Sequence, residues 1–161
     1  AGTTEEAVAH GEVVILATPW GVTLDLVRDL SRALGGKTVW DCTNPFAPDM
    51  SELLIGTTTS AGEEIAKLAP LAHVVKAVPP FAQSLHAPSM DIGGHRPGVF
   101  VCGDDGAARG LVIQLVTDVG ADAVDAGPLK LARFTEPLGM LVTNLAYVQG
   151  LGPSISAILV R

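Results

Sequence analysis

Short apolar runs, each ending in a polar or proline-containing turn, alternate along this chain with segments of helical spacing. The first two runs cover residues 13–17 and 38–42, and between them Val22, Leu26, Leu30 and Ala33 recur every three or four positions. Runs without polar alternation are typical of strands that are covered on both faces. Three further runs follow, at residues 73–78, 98–103 and 121–125. The pattern predicts an α/β fold with a parallel sheet of about five strands and flanking helices.

Capping residues and prolines indicate where the predicted helices begin. A first short helix occupies residues 3–10, and Ser60 with Glu63 forms a capping box for another. Asp104 and Asp105 suit the start of a helix that ends at residue 120, and Pro128 suits the first position of a long C-terminal helix. A last short helix is predicted to start at residue 153. The predicted inward residues of the two longest helices are Leu111, Val112, Leu115, Val116 and Val119, and then Leu131, Phe134, Leu138, Leu141, Val142 and Leu145.

Pro137 falls inside the long helix, where it cannot donate to the carbonyl of Arg133, so we expect a kink there. Two proline-containing stretches, residues 45–58 and 79–97, have no clear period and are predicted to be loops. Long loops in compact domains are usually functional or disordered. Ligands of open α/β sheets bind beyond the carboxyl ends of the strands, so the turns after the apolar runs are the candidate site.

Composition and charge narrow the function classes. The 161 residues suit one domain, and a net charge of -7 disfavours nucleic acid or an anionic membrane as a partner. The two cysteines are too few for a disulfide scaffold and indicate a reducing compartment. No apolar run approaches the ~18 residues of a membrane span, and no signal peptide is visible. We therefore expect a cytoplasmic protein.

The glycine-rich loop of a dinucleotide-binding fold is missing. No G-x-G-x-x-G motif follows any predicted strand, and the nearest match, at Gly150 and Gly152, lies in the helical C-terminal region. The pyrophosphate cradle that such a loop forms with a helix N-terminus is therefore not encoded in this sequence.

Several segments together resemble the NADPH-dependent oxidoreductases that reduce the deazaflavin coenzyme F420. They span nearly the whole chain in order, and DAGPL is the most specific of them. The segments are VVILATPW (residues 13–20), DCTNP (41–45), TTSAGEEI (58–65), VVKA (74–77), VCGDD (101–105), EPL (136–138) and DAGPL (125–129). The resemblance implies a truncated Rossmann-like domain over residues 1–161, because members of the family begin with a further strand, glycine turn, helix and strand. A second difference follows Ala77: members of the family usually continue with Phe-Asn or His-Thr, whereas this chain continues with Val78 and Pro79.

The resemblance also implies a cofactor site at three strand ends. Thr18, Pro19 and Trp20 would lie against the ribose and pyrophosphate of NADP, and Asn44 with Pro45 against the nicotinamide ribose. Lys76 and Ala77 end the third strand, where the lysine would anchor a phosphate. Each has a plainer interpretation: Pro19 ends a strand and Trp20 packs on a helix, Asn-Pro is a common turn, and a lysine can lay its stem on apolar surface with its ammonium in solvent.

The missing first unit has a physical consequence for residues 13–17. In the strand order 3-2-1-4-5-6 this strand lies beside the absent first strand, so here it becomes an edge with unpaired backbone groups. Each buried backbone group without a partner costs ~1–3 kcal/mol. We therefore expect the 13–17 edge to be covered, either by a homodimer partner that pairs there or through the long C-terminal helix, or by a preceding segment of the protein.

Three functions remain open. The first is hydride transfer between NADP(H) and a flavin-like or deazaflavin acceptor, which requires the N-terminal half. The second is a non-catalytic remnant that acts as a dimeric binding or interaction module. The third is a flavodoxin-like mononucleotide binder that uses residues 18–23. No residue is predicted as catalytic: Cys42 and Cys102 are expected to be buried thiols, and none of the four histidines has metal-ligand spacing, although His86 and His95 share a loop.

Overall fold

The computed structural model describes residues 2–78 and 91–160, and its centre is a five-stranded sheet. The strands lie side by side in chain order, so each strand neighbours the next one in the sequence. They are β1 (Val13–Leu16), β2 (Thr38–Asp41), β3 (His73–Lys76), β4 (Gly98–Gly103) and β5 (Asp122–Gly127). All five coincide with the predicted apolar runs, so the predicted α/β class is confirmed.

One strand pair departs from the parallel arrangement that the sequence predicts. β1, β2 and β3 are parallel, but β4 runs antiparallel to β3, and β5 is parallel to β4. In the β3–β4 register Lys76 is opposite Cys102, so the first half of β4 extends beyond the carboxyl end of β3. This overhang provides one wall of the candidate site described below.

Within residues 2–78 and 91–160, five α-helices flank the sheet, and three of them begin at predicted caps. They are α1 (Thr4–His10), α2 (Trp20–Leu30), α3 (Ala61–Leu68), α4 (Gly106–Asp118) and α5 (Ala132–Tyr147), with a 3-10 turn at Leu129–Leu131. Thr3 forms a reciprocal capping box with Glu6, and the Ser60 side chain accepts from the backbone N–H of Glu63. Asp105 alone caps α4, because Asp104 instead accepts from the backbone of Leu129.

The core has two parts, one on each face of the sheet. Alternate residues of β2 and β3 point to opposite faces: Val39 and Val74 pack with α2 and α3, whereas Trp40 and Val75 pack with α4. All four residues of β2 are buried. This two-sided burial explains why the sequence of the strand shows no polar alternation.

β1 is the first strand of the sheet, as the sequence predicts. The carbonyls of Glu12 and Leu16 accept from β2-side N–H groups. Because successive residues of a strand point their backbone groups to opposite sides, those of Val13 and Ile15 face outward. No described residue pairs with that side, and the Ile15 side chain is 59% exposed. What covers this edge stays a prediction.

The predicted inward faces of the two longest helices were partly wrong. In α4 the buried residues are Ala108, Val112 and Val116, whereas Leu111 and Val119 are exposed. α5 is apolar on two sides, and the predicted set mixes them, since Leu138, Val142 and Leu145 are half-buried. Its buried residues are Ala132, Glu136, Thr143 and Ala146, whereas Phe134 is 70% and Leu141 55% exposed.

The region around α5 differs from the prediction at both ends. Pro128 precedes the 3-10 turn, and α5 itself begins at Ala132. Pro153 starts no helix: residues 153–160 follow an irregular path that meets β4, where the backbone N–H of Gly98 donates to Ser156 Oγ at 3.1 Å. Within residues 2–78 and 91–160, no helix is both long and apolar enough to cross a membrane.

Candidate functional site

A fully buried ionic cluster lies at the carboxyl ends of β2 and β3. Lys76 is the last residue of β3, and its Nζ atom lies 2.6 Å from Asp41 Oδ2 and 3.0 Å from Glu136 Oε1. The side chains of Lys76 and Asp41 are 0% exposed, and that of Glu136 is 1% exposed. Burial by itself lowers the pKa of the lysine, but the two carboxylates more than offset it and raise that pKa above its ordinary value.

Glu136 also caps the N-terminus of α3. Its Oε2 accepts from the backbone N–H of Ala61 at 2.9 Å, and its Oε1 accepts from that of Gly62 at 3.1 Å. These two N–H groups have no partner inside the helix, so the carboxylate supplies their acceptors. The positive end of the helix dipole in turn stabilises the negative charge of the carboxylate. Burial raises the pKa of Glu136, and the hydrogen bonds and Lys76 oppose that rise. The cluster thereby joins β2, β3, α3 and α5.

Thr43 is held by the same cluster through three hydrogen bonds. Its N–H and its hydroxyl both donate to Asp41 Oδ1, at 2.8 and 2.7 Å. Its carbonyl accepts from Lys76 Nζ at 2.7 Å. The position of the next residue, Asn44, is therefore set by buried contacts of β2 and β3.

A mostly apolar cavity of about 360 Å³ opens beside this turn. The end of β2, the overhanging half of β4, one side of α5 and the C-terminal segment form its walls. The lining residues are Cys42, Asn44, Phe46, Met50, Val78, Gly98, Phe100, Thr135, Leu138, Gly139, Val142, Thr143, Tyr147, Ile155, Ser156 and Ala157. A cavity of this size is within the range of small-molecule sites.

The cavity contains an amide oxygen with no partner among the described residues. Asn44 Oδ1 is buried, yet it accepts no hydrogen bond from the described part of the chain. The amide lies against α5 at Gly139, where an added Cβ would be 3.4 Å from Oδ1. A buried carbonyl without a donor is costly, so this oxygen fits a ligand that brings an N–H or O–H group.

The polar side chains of the turn at the end of β1 form hydrogen bonds within the turn itself. The Thr18 and Thr23 hydroxyls lie 2.9 Å apart, and Thr23 also donates to the carbonyl of Pro19 at 3.0 Å. Pro19 precedes α2, and the half-buried Trp20 packs against the core on the α2–α3 face. These residues lie at the carboxyl end of the strand but do not line the cavity.

The other predicted site residues also have structural partners. The carbonyl of Pro45 accepts from Leu54 N–H at 2.8 Å, and that of Ala77 accepts from Trp40 Nε1 at 2.7 Å. Lys76 does not extend its ammonium into solvent, so that plainer interpretation is wrong. Asn44 is the predicted site residue that the structure places in the cavity wall.

The thiols are suited to packing rather than to nucleophilic attack. Burial raises the pKa of Cys42 to about 12 and that of Cys102 to about 11. Both therefore stay protonated at neutral pH, since the thiolate is the reactive form. His86, one of the two histidines considered for a metal, lies outside the described residues.

Sequence reasoning missed Asp41 and Glu136 as members of the site. Residues 134–151 contain a single charged side chain, Glu136, inside a long apolar helix. That isolation was a usable signal, because a lone carboxylate among apolar residues usually has a buried partner. The sequence near Glu136 does not identify that partner, since Lys76 belongs to β3, about 60 residues earlier in the chain.

Comparisons with known proteins agree on one family. Residues 1–45 match the family model described as NADP oxidoreductase, coenzyme F420-dependent. The F420-dependent NADP reductase of Methanocaldococcus jannaschii is 30% identical over 147 residues, which cover 88% of this chain and 65% of the relative. The chain thus spans about two thirds of the length of that relative.

Two solved structures extend the likeness to the fold. A candidate F420-dependent NADP-reductase from Arthrobacter sp. FB24 superposes with a TM-score of 0.86 at 29% identity, covering 98% of this chain and 72% of that one. A hypothetical protein from Sinorhizobium meliloti gives a TM-score of 0.67 at 27% identity, covering 98% and 70%.

Proposed function

Since the chain belongs to the family of coenzyme F420-dependent NADP oxidoreductases, we propose that it is part of an enzyme that transfers hydride between NADP(H) and a deazaflavin or flavin acceptor. The observation that carries this proposal is the apolar cavity at the carboxyl edge of the sheet, with a buried amide oxygen in its wall that has no partner among the described residues. The glycine loop that holds the pyrophosphate is assigned to a part of the protein outside this sequence.

The chemistry of the cavity supports that proposal. A bound reduced nicotinamide supplies the hydride, and the protein has to place two rings in contact and keep water away. Phe100, Leu138 and Val142 provide an apolar wall for this purpose. The neutral Cys42 thiol in the same wall offers no competing nucleophile at neutral pH.

Asn44 is assigned the polar contact. Its Oδ1 accepts from an N–H of the bound ring system, either the carboxamide of nicotinamide or a ring N–H of the acceptor. Such a bond orients a flat ring that the apolar walls alone would leave free to rotate. The turn at Thr18, Pro19 and Trp20 is assigned to the sugar-phosphate part of NADP, because it lies at the neighbouring strand end. Pro45 and Ala77 shape the backbone at the ends of β2 and β3.

Titration with NADPH and with F420, followed by fluorescence, tests the proposal. We expect F420 to bind with a micromolar Kd. Asn44→Ala should weaken binding about tenfold, equivalent to the ~1.4 kcal/mol of one buried hydrogen bond. Asn144→Ala is the matched control, because Asn144 is the other asparagine of the chain and does not line the cavity.

The competing function is a non-catalytic binding or interaction module. It predicts no binding of NADPH or F420 at millimolar concentration, including in the protein that carries any preceding segment. The flavodoxin-like function predicts instead a yellow protein that binds FMN. Thr18→Val should then weaken FMN binding.

A further inference from the structure

We propose that Lys76 is a positioning residue for Asn44, acting through the backbone carbonyl of Thr43. Lys76 does not touch the cavity, so it does not bind the ligand itself. It holds the strand end from which the amide of Asn44 projects. The inference deepens the proposed function and rests on it wherever a ligand is measured, but its first test needs no ligand.

The first step of the argument is the number of constraints on Thr43. Asp41 Oδ1 accepts from its N–H and its hydroxyl, and Lys76 donates to its carbonyl at 2.7 Å. Asp41 ends β2, and its carbonyl accepts from the Ala77 N–H of the neighbouring strand at 3.0 Å. Lys76 is on β3, so its bond adds a contact from the neighbouring strand to the turn itself.

The second step is the strength of that tie. Hydrogen bonds from a charged donor are roughly twice as strong as neutral ones, and this donor is fully buried. The ammonium cannot exchange its partners for water. Its ion pairs with Asp41 and Glu136, at 2.6 and 3.0 Å, restrict where the ammonium can lie beside Thr43.

The third step is the small freedom left to Asn44. Its amide lies against Gly139 of α5, which Glu136, on the same helix, anchors to Lys76. One lysine therefore sets both the strand end that carries Asn44 and the helix wall it packs against. A shift of about 1 Å at such a contact is enough to lose productive geometry in an active site.

Side-chain NMR tests the positioning without a ligand. The chain has two asparagines, so the Asn44 NH₂ signals are assigned by their loss in Asn44→Ala. The test variant combines Lys76→Met with Asp41→Asn and Glu136→Gln, which removes the ammonium without leaving buried charge. We expect the order parameter of the Asn44 amide to fall and its shifts to change, with the Asn144 amide unaffected. A folded triple variant with an unchanged Asn44 amide overturns the inference.

A double-mutant cycle with F420 separates positioning from a general structural role. In the presence of Asn44 the triple variant should weaken F420 binding about tenfold. In the Asn44→Ala background the same change should cost less than about twofold, because the group that Lys76 positions is already absent. Equal costs in both backgrounds overturn the inference. Failure of the wild-type protein to bind F420 refutes the proposed function instead, and the NMR result then decides the inference alone.

Discussion

Replacing Lys76 by methionine leaves two carboxylates, Asp41 and Glu136, buried side by side without a cation. The lysine is 0% exposed, and its ammonium is 2.6 Å from one carboxylate and 3.0 Å from the other. Removing one partner of a buried ion pair typically costs about 3–5 kcal/mol, because the remaining charge keeps its desolvation penalty. That loss is a large share of the ~5–15 kcal/mol that stabilises a typical domain.

Urea denaturation followed by far-UV circular dichroism measures this cost. The matched control is Lys67→Met: its ammonium also lies 2.6 Å from a carboxylate, that of Glu64, but the lysine side chain is 63% exposed. Surface pairs of this kind contribute about 0–1 kcal/mol, so the control should be close to wild type. Adding Asp41→Asn and Glu136→Gln to Lys76→Met should restore much of the loss. If Lys76→Met costs no more than Lys67→Met, the buried cluster does not exist as described and the positioning argument fails with it.

Three further changes probe separate parts of the fold. Gly98→Ala should release the C-terminal segment and increase its proteolysis, because a Cβ there would lie 2.3 Å from the carbonyl oxygen of Ala157. Ser60→Ala should lower the free energy of unfolding by ~1 kcal/mol, since it removes the N-cap acceptor of α3. The free energy of unfolding should also fall as the pH rises from 9 towards 11, because the unfolded thiols ionise near their ordinary value of 9.0 whereas the folded pKa values of Cys42 and Cys102 are about 12 and 11. Replacing both cysteines by alanine should flatten that decline.

The strand ends were predictable in position but not in role. Asn44 and Lys76 stand out in the sequence because each is a polar residue near the end of a predicted strand, and parallel strands bring such ends to one edge. Which of them meets a cavity and which is buried depends on α5. That helix supplies both the partner of Lys76 and the wall beside Asn44, and its packing against the sheet is not encoded near either residue.

The amino-acid sequence by itself determined the α/β class, the five strands and the starts of α1, α3 and α4, because local spacing and caps act within a few residues of chain. Only the tertiary structure decided the direction of β4 and the buried side of α5. An apolar run has the same pattern read in either direction, and a helix that is apolar on two sides has no preferred face of its own. The inward face of α5 was chosen by close packing of small residues and by the buried pair of Glu136 with Lys76, which forms only once the strands are in place.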